Sequence, residues 1–113
     1  MQLKIKKYLQ DIITSAESIK HFTKGITKYE DFISNKMMYR AVERELEIIA
    51  EAITRINKLE TSIEITNSKK IIGLRNRVIH SYDNINDDII WGVVVNHIDG
   101  LKNEALELLN KME

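Results

Sequence analysis

Cysteine and proline are both missing from the 113 residues. Without cysteine there is no disulfide, no thiolate nucleophile and no thiolate-ligated zinc. Without proline, and with only four glycines, little in the chain interrupts a helix, so long helices are expected. An excess of charge is lacking too, since 17 Lys and Arg balance 17 Asp and Glu. A neutral chain gains no general attraction to nucleic acid or membrane, so any such binding needs a local patch. No apolar run approaches the roughly 20 residues of a membrane span, and the first residues carry no signal-peptide core. The expected location is the cytoplasm, with no membrane partner.

What is present is 43% hydrophobic and 30% charged, the balance of a globular domain. We read residues 1–113 as one domain, an all-α antiparallel up-and-down bundle of four to five helices. The first helix covers 3–24, where Ile5, Leu9, Ile12, Ala16 and Ile19 recur every three or four residues. Gly25 suits the residue just past its end. Residues 26–34 form a connector, one short turn of helix that returns aromatics to the core. Ser34 or Asn35 can cap the second long helix, with its stripe at Met38, Val42, Leu46, Ile49, Ile53 and Ile56. Its other face, Glu43, Arg44, Glu47, Glu51 and Arg55, has the spacing of modest ion pairs. Residues 60–67 read as loop, a third helix as 68–81, and a last one as capped by Asn86 and running on to Leu109. Gly92 and Gly100 fall inside that last helix, where they cost some stability and leave room for a close backbone approach.

The stretch from Gly73 to Tyr82 carries the chemistry. Asn76 and His80 are one helical turn apart, and Arg75 and Tyr82 are seven residues apart and nearly aligned. Lys69, Lys70 and Arg77 make this the most basic stretch of a neutral chain. Arginine grips phosphate oxygens with a planar fork, and histidine moves protons near neutral pH. Together they suit RNA cleavage without a metal, in which the 2′-hydroxyl attacks its own phosphorus and a cation stabilises the developing charge. Proton transfer at both ends of the phosphodiester wants two histidines, and a two-fold dimer that brings together two copies of His80 supplies them. The plainer physical reading is of capping and surface groups at a helix end.

Arg75-Asn76-x3-His80-x-Tyr82 matches the Arg-x4-His-x-Tyr motif of HEPN-domain proteins. Around it the chain resembles the HepT branch, ribonuclease toxins of HepT–MntA toxin–antitoxin pairs. Tyr8-Leu9-Gln10-Asp11-Ile12, Phe22-Thr23-Lys24-Gly25, the run from Ala41 to Ala52, and Ile71-Ile72-Gly73-Leu74-Arg75-Asn76-Arg77 carry the likeness in order. The resemblance implies an all-α bundle, a homodimer with a composite cleft, metal-independent RNA cleavage, and an MntA-like nucleotidyltransferase antitoxin that adds AMP to the motif tyrosine. It makes His80 the acid–base group and Arg75 the charge stabiliser. Asn76 then orients phosphate or imidazole, Tyr82 accepts AMP, and Arg77, Lys69 and Lys70 guide RNA.

Two other readings compete: a non-catalytic HEPN subunit that binds a nucleotidyltransferase or a nucleotide, and a plain dimeric bundle. No cofactor is expected, and no His, Asp and Glu spacing suggests a metal site. His21 and His97 read as isolated, the first exposed at a helix end and the second a satisfied core or interface group. Trp91 reads as core or dimer interface.

Overall fold

The computed structural model describes residues 2–66, 68–73 and 87–112, with residue 87 described by its backbone alone. Helix α1, Gln2–Phe22, buries the stripe that its periodicity marks, with Leu9, Ile12, Ala16 and Ile19 wholly out of solvent. It stops two residues sooner than expected. Thr23 Oγ1 donates to the carbonyl of Ile19 at 2.8 Å, and the chain turns away through Gly25, whose φ of +82° is left-handed.

The connector forms α2, Tyr29–Ile33, and it does return an aromatic to the core. Phe32 is fully buried, with ring centroids 6.3 Å from Tyr39, edge-on, and 5.1 Å from Trp91. Trp91 is thus a core-packing residue. Helix α3, Lys36–Leu59, begins at Asn35, whose Oδ1 accepts from the Met38 N–H at 3.0 Å. Its buried face includes Val42, Leu46, Ile49, Ile53 and Ile56. On the outer face Arg55 meets Glu51 at 2.8 Å and Arg44 meets Glu47 at 3.4 Å, spacings of four and three residues. Such exposed pairs stabilise only slightly.

Residues 60–66 contain no strand; Ile65 turns inward, 5% exposed, and anchors the loop. Residues 68–73 are helical (α4), and the remainder of the expected 68–81 helix lies outside the described residues, as does the Asn86 cap. The expected last helix is two: α5, Asp87–Asn96, and α6, Ile98–Lys111. His97 lies between them at φ −124°, outside helical geometry. Its N–H still donates to Val93 and its carbonyl accepts from Leu101, both at 2.9 Å. The bend lets α5 pack on α2 while α6 lies along α1.

Helix α1 packs along both α3 and α6. Its direction opposes that of α6. Lys20 meets Asp99 at 2.6 Å near one end, and Gln2 Nε2 reaches the carbonyl of Met112 at 3.4 Å at the other. The architecture is the expected all-α antiparallel bundle, with six helices and no strand among the described residues. Among the described residues, the close approach for which Gly92 and Gly100 leave room is absent: a Cβ built on either meets nothing within 4 Å, and no neighbour requires either glycine.

Candidate nucleic-acid interface

Five of the residues singled out from sequence, Arg75, Asn76, Arg77, His80 and Tyr82, lie outside the described residues. The other two, Lys69 and Lys70, are exposed on α4. Neighbouring helical residues diverge by 100°, so the two lysines serve different surfaces. Lys69 borders a shallow groove with Asn57, Thr61 and Ser68. Lys70 reaches the other way, and its Nζ stands 3.4 Å from Nε2 of His97. Ile71, 1% exposed, fixes α4 to the core between these two surfaces.

His97 is therefore not isolated. It stands at the bend between α5 and α6, half-buried, with its ring against a lysine of the segment that leads into the motif. Sequence reasoning missed it because 27 residues separate the pair, and helical periodicity has no bearing on contacts at that range. His21, by contrast, is exposed at the end of α1, as expected, in edge contact with Phe22.

A second polar contact holds the same region. The Thr66 N–H lies 3.0 and 2.9 Å from the two carboxylate oxygens of Glu104, and Thr66 Oγ1 donates to Oε2 at 2.8 Å. A carboxylate that takes backbone and hydroxyl donors from one residue clamps the loop before α4 onto α6. Between the Thr66–Glu104 clamp and the Lys70–His97 pair lies a groove of about 420 Å³. Ile71 and Leu101 form its apolar wall, and Asn96, Gly100, Asn103 and Glu107 run along it at spacings of four, three and four. That strip was legible as polar residues on one helix face, but such a strip ordinarily means solvent.

The groove has an electrostatic direction. Lys70 and His97 stand at one end, and Glu104 and Glu107 at the other. Among the described residues, its lining includes no aromatic ring. Among the described residues, no group of three or more His, Asp and Glu could hold a metal ion, and no helix is long and apolar enough to cross a membrane.

Compared with known proteins, the chain matches the family model described as ribonuclease HepT-like over residues 12–108. It is 40% identical over 102 residues to the Methanocaldococcus jannaschii protein named "Putative RNase MJ1380", covering 89% of this chain and 93% of that one. It is 34% identical over 107 residues to "Putative RNase TTE0752" of Caldanaerobacter subterraneus, covering 94% and 95%. It is 34% identical over 104 residues to "Probable ribonuclease HepT" of Thermococcus cleftensis, covering 91% and 94%. No solved structure matches.

Proposed function

The chain belongs to the HepT-like ribonuclease family, and on that premise we propose that it is a metal-independent endoribonuclease toxin, one domain across residues 1–113, acting as a homodimer. The observation that carries this reading is the span of the family match. It runs from residue 12 to 108 and so includes Arg75, His80 and Tyr82 in their motif spacing.

In this reading the ribose 2′-oxygen forms a bond to phosphorus while the bond from phosphorus to the 5′-oxygen breaks. One His80 takes the 2′-hydroxyl proton, and the partner's His80 gives a proton to the departing 5′-oxygen. Arg75 carries the charge that develops on the phosphorane oxygens, and Asn76 orients the phosphate. The products are a 2′,3′-cyclic phosphate, open to later hydrolysis, and a 5′-hydroxyl end. Imidazole and guanidinium together cover every proton and charge in this step, so no metal is required. Arg77, Lys69 and Lys70 draw RNA to the cleft; the exposure of both lysines on α4 supports that part.

Regulation falls on Tyr82. A partner MntA-like nucleotidyltransferase, the antitoxin, transfers AMP from ATP to the phenolic oxygen, and pyrophosphate leaves. The added phosphodiester competes with RNA for Arg75 and Arg77, and its adenosine fills the cleft.

The test is cleavage of a labelled RNA by the wild type and by His80→Ala and Arg75→Ala. Each substitution is expected to slow cleavage by roughly 10²–10⁴-fold, with EDTA without effect. Activity that survives His80→Ala, or that EDTA abolishes, overturns the mechanism. A wild type that binds the nucleotidyltransferase and cuts no RNA returns the assignment to a non-catalytic subunit. For the switch, coexpression with the nucleotidyltransferase should add the mass of AMP to the wild type and not to Tyr82→Phe.

A further inference from the structure

The groove between α4 and α6 is built, not incidental. The Thr66–Glu104 hydrogen bonds hold its far end, and Ile71 fixes its near wall to the core. Gly100 lies along it, in a helix that a larger residue would favour, and a Cβ there meets nothing within 4 Å. Among the described residues, no element fills the space that this glycine leaves open. The groove's volume, about 420 Å³, is on the scale of a single nucleotide.

We propose that this groove holds a nucleotide of the RNA within a few of the one being cut, phosphate towards Lys70 and His97 and base towards Asn103 and Glu107. The inference rests on the ribonuclease reading above and adds a subsite to it. The orientation follows from charge. The Lys70 ammonium donates to phosphate oxygens, whereas the Glu104 and Glu107 carboxylates repel them. The seven residues from His97 to Glu104 rise about 10 Å, the reach of one nucleotide from phosphate to base edge. Without an aromatic platform the base is read at its edge. The Asn103 amide offers both donor and acceptor, and the Glu107 carboxylate accepts from an exocyclic amine. Bases that carry such an amine (adenine, cytosine, guanine) are therefore favoured over uracil. Lys70 stands five residues before Arg75, and five residues of any conformation span at most about 18 Å. A subsite at Lys70 is thus a few nucleotides at most from the arginine that the mechanism uses.

A full-length protein carrying His80→Ala, so that bound RNA stays intact, is titrated with a fluorescent single-stranded oligoribonucleotide, and anisotropy is read. Gly100→Leu fills the groove from an exposed position and packs against its apolar wall, and is expected to weaken RNA binding about tenfold while the unfolding midpoint holds or rises. Gly100→Ala changes helix propensity with little filling and should bind within twofold of its parent. Lys70→Ala is expected to weaken binding about five- to tenfold and to lower the slope of log affinity on log salt. An oligonucleotide of uridine alone should bind more weakly than one of mixed bases, and Glu107→Ala should remove that difference. Binding by Gly100→Leu equal to its parent overturns the subsite, and the ribonuclease reading survives if the wild type cleaves RNA. A parent that binds no RNA, together with a wild type that cleaves none, overturns both.

Discussion

The α1–α3 seam and the α4–α6 groove differ in what they bury. The seam closes Leu9, Ile12 and Ile19 against Val42, Ile49 and Ile53, every one fully out of solvent. The groove keeps an ammonium, an imidazole, two amides and two carboxylates along an open channel. One end is held by hydrogen bonds to the Glu104 carboxylate, and the apolar wall by the buried Ile71 and Leu101. Burial of this kind supplies most of the folding free energy, while exposed polar contacts add little net. The seam can therefore carry the fold while the groove keeps polar groups available to a ligand. Substitutions in the two regions should differ in size and even in sign.

The largest effect is expected in the seam. Ile53→Ala leaves a cavity in a wholly buried site and should cost about 2–5 kcal/mol, read as a fall in the urea midpoint. A loss under 1 kcal/mol there would mean that the seam is not the main source of stability. Next is the start of α3. Asn35→Ala removes the acceptor for the Met38 N–H and should cost roughly 1 kcal/mol in the same measurement. The groove should reverse the sign: Gly100→Ala is expected to stabilise by up to roughly 1 kcal/mol, because the helix gains propensity and the methyl meets no neighbour. A destabilised Gly100→Ala would show that the channel is packed after all.

The smallest effect lies at the end of α3. Glu60 accepts from the Ser62 hydroxyl at 2.8 Å and from its N–H at 3.3 Å, and these bonds hold its carboxyl below the ordinary carboxylate range. A carboxyl lowered in the folded state contributes stability above its unfolded value, and that contribution is lost as pH falls through the folded value. Ser62→Ala should therefore slightly lower stability at neutral pH and leave it unchanged in acid, so that less is lost on acidification. NMR titration of the Glu60 side chain in the two proteins, with the variant shifted upward, checks it.

Much of the fold was legible because helices announce themselves locally. The three- and four-residue spacing of Ile5, Leu9, Ile12, Ala16 and Ile19 identified the buried face of α1, and Asn35 before an apolar stripe located the start of α3. The bend at His97 was not legible, because Val93 to Leu101 keep an unbroken helical pattern of apolar residues in the sequence. What bends the helix is the need of α5 to meet α2 and of α6 to meet α1, a demand set by partners distant in the chain. Of the candidate site, the motif was readable as residue types at a characteristic spacing, and Lys69 and Lys70 as exposed cations leading to it. His97 and Glu104 were not, since each is defined by a contact with a residue 27 or 38 positions away.

By itself, then, the sequence determined the helices, their buried faces, the family and the motif, because periodicity, capping and motif spacing act over a few residues. Only the tertiary structure decided that α5 and α6 are separate helices, that Lys70 faces His97, that Thr66 is clamped by Glu104, and that Gly100 opens a channel between them. Those outcomes depend on which surfaces the packed helices bring together, and that is settled by the shape of the whole core.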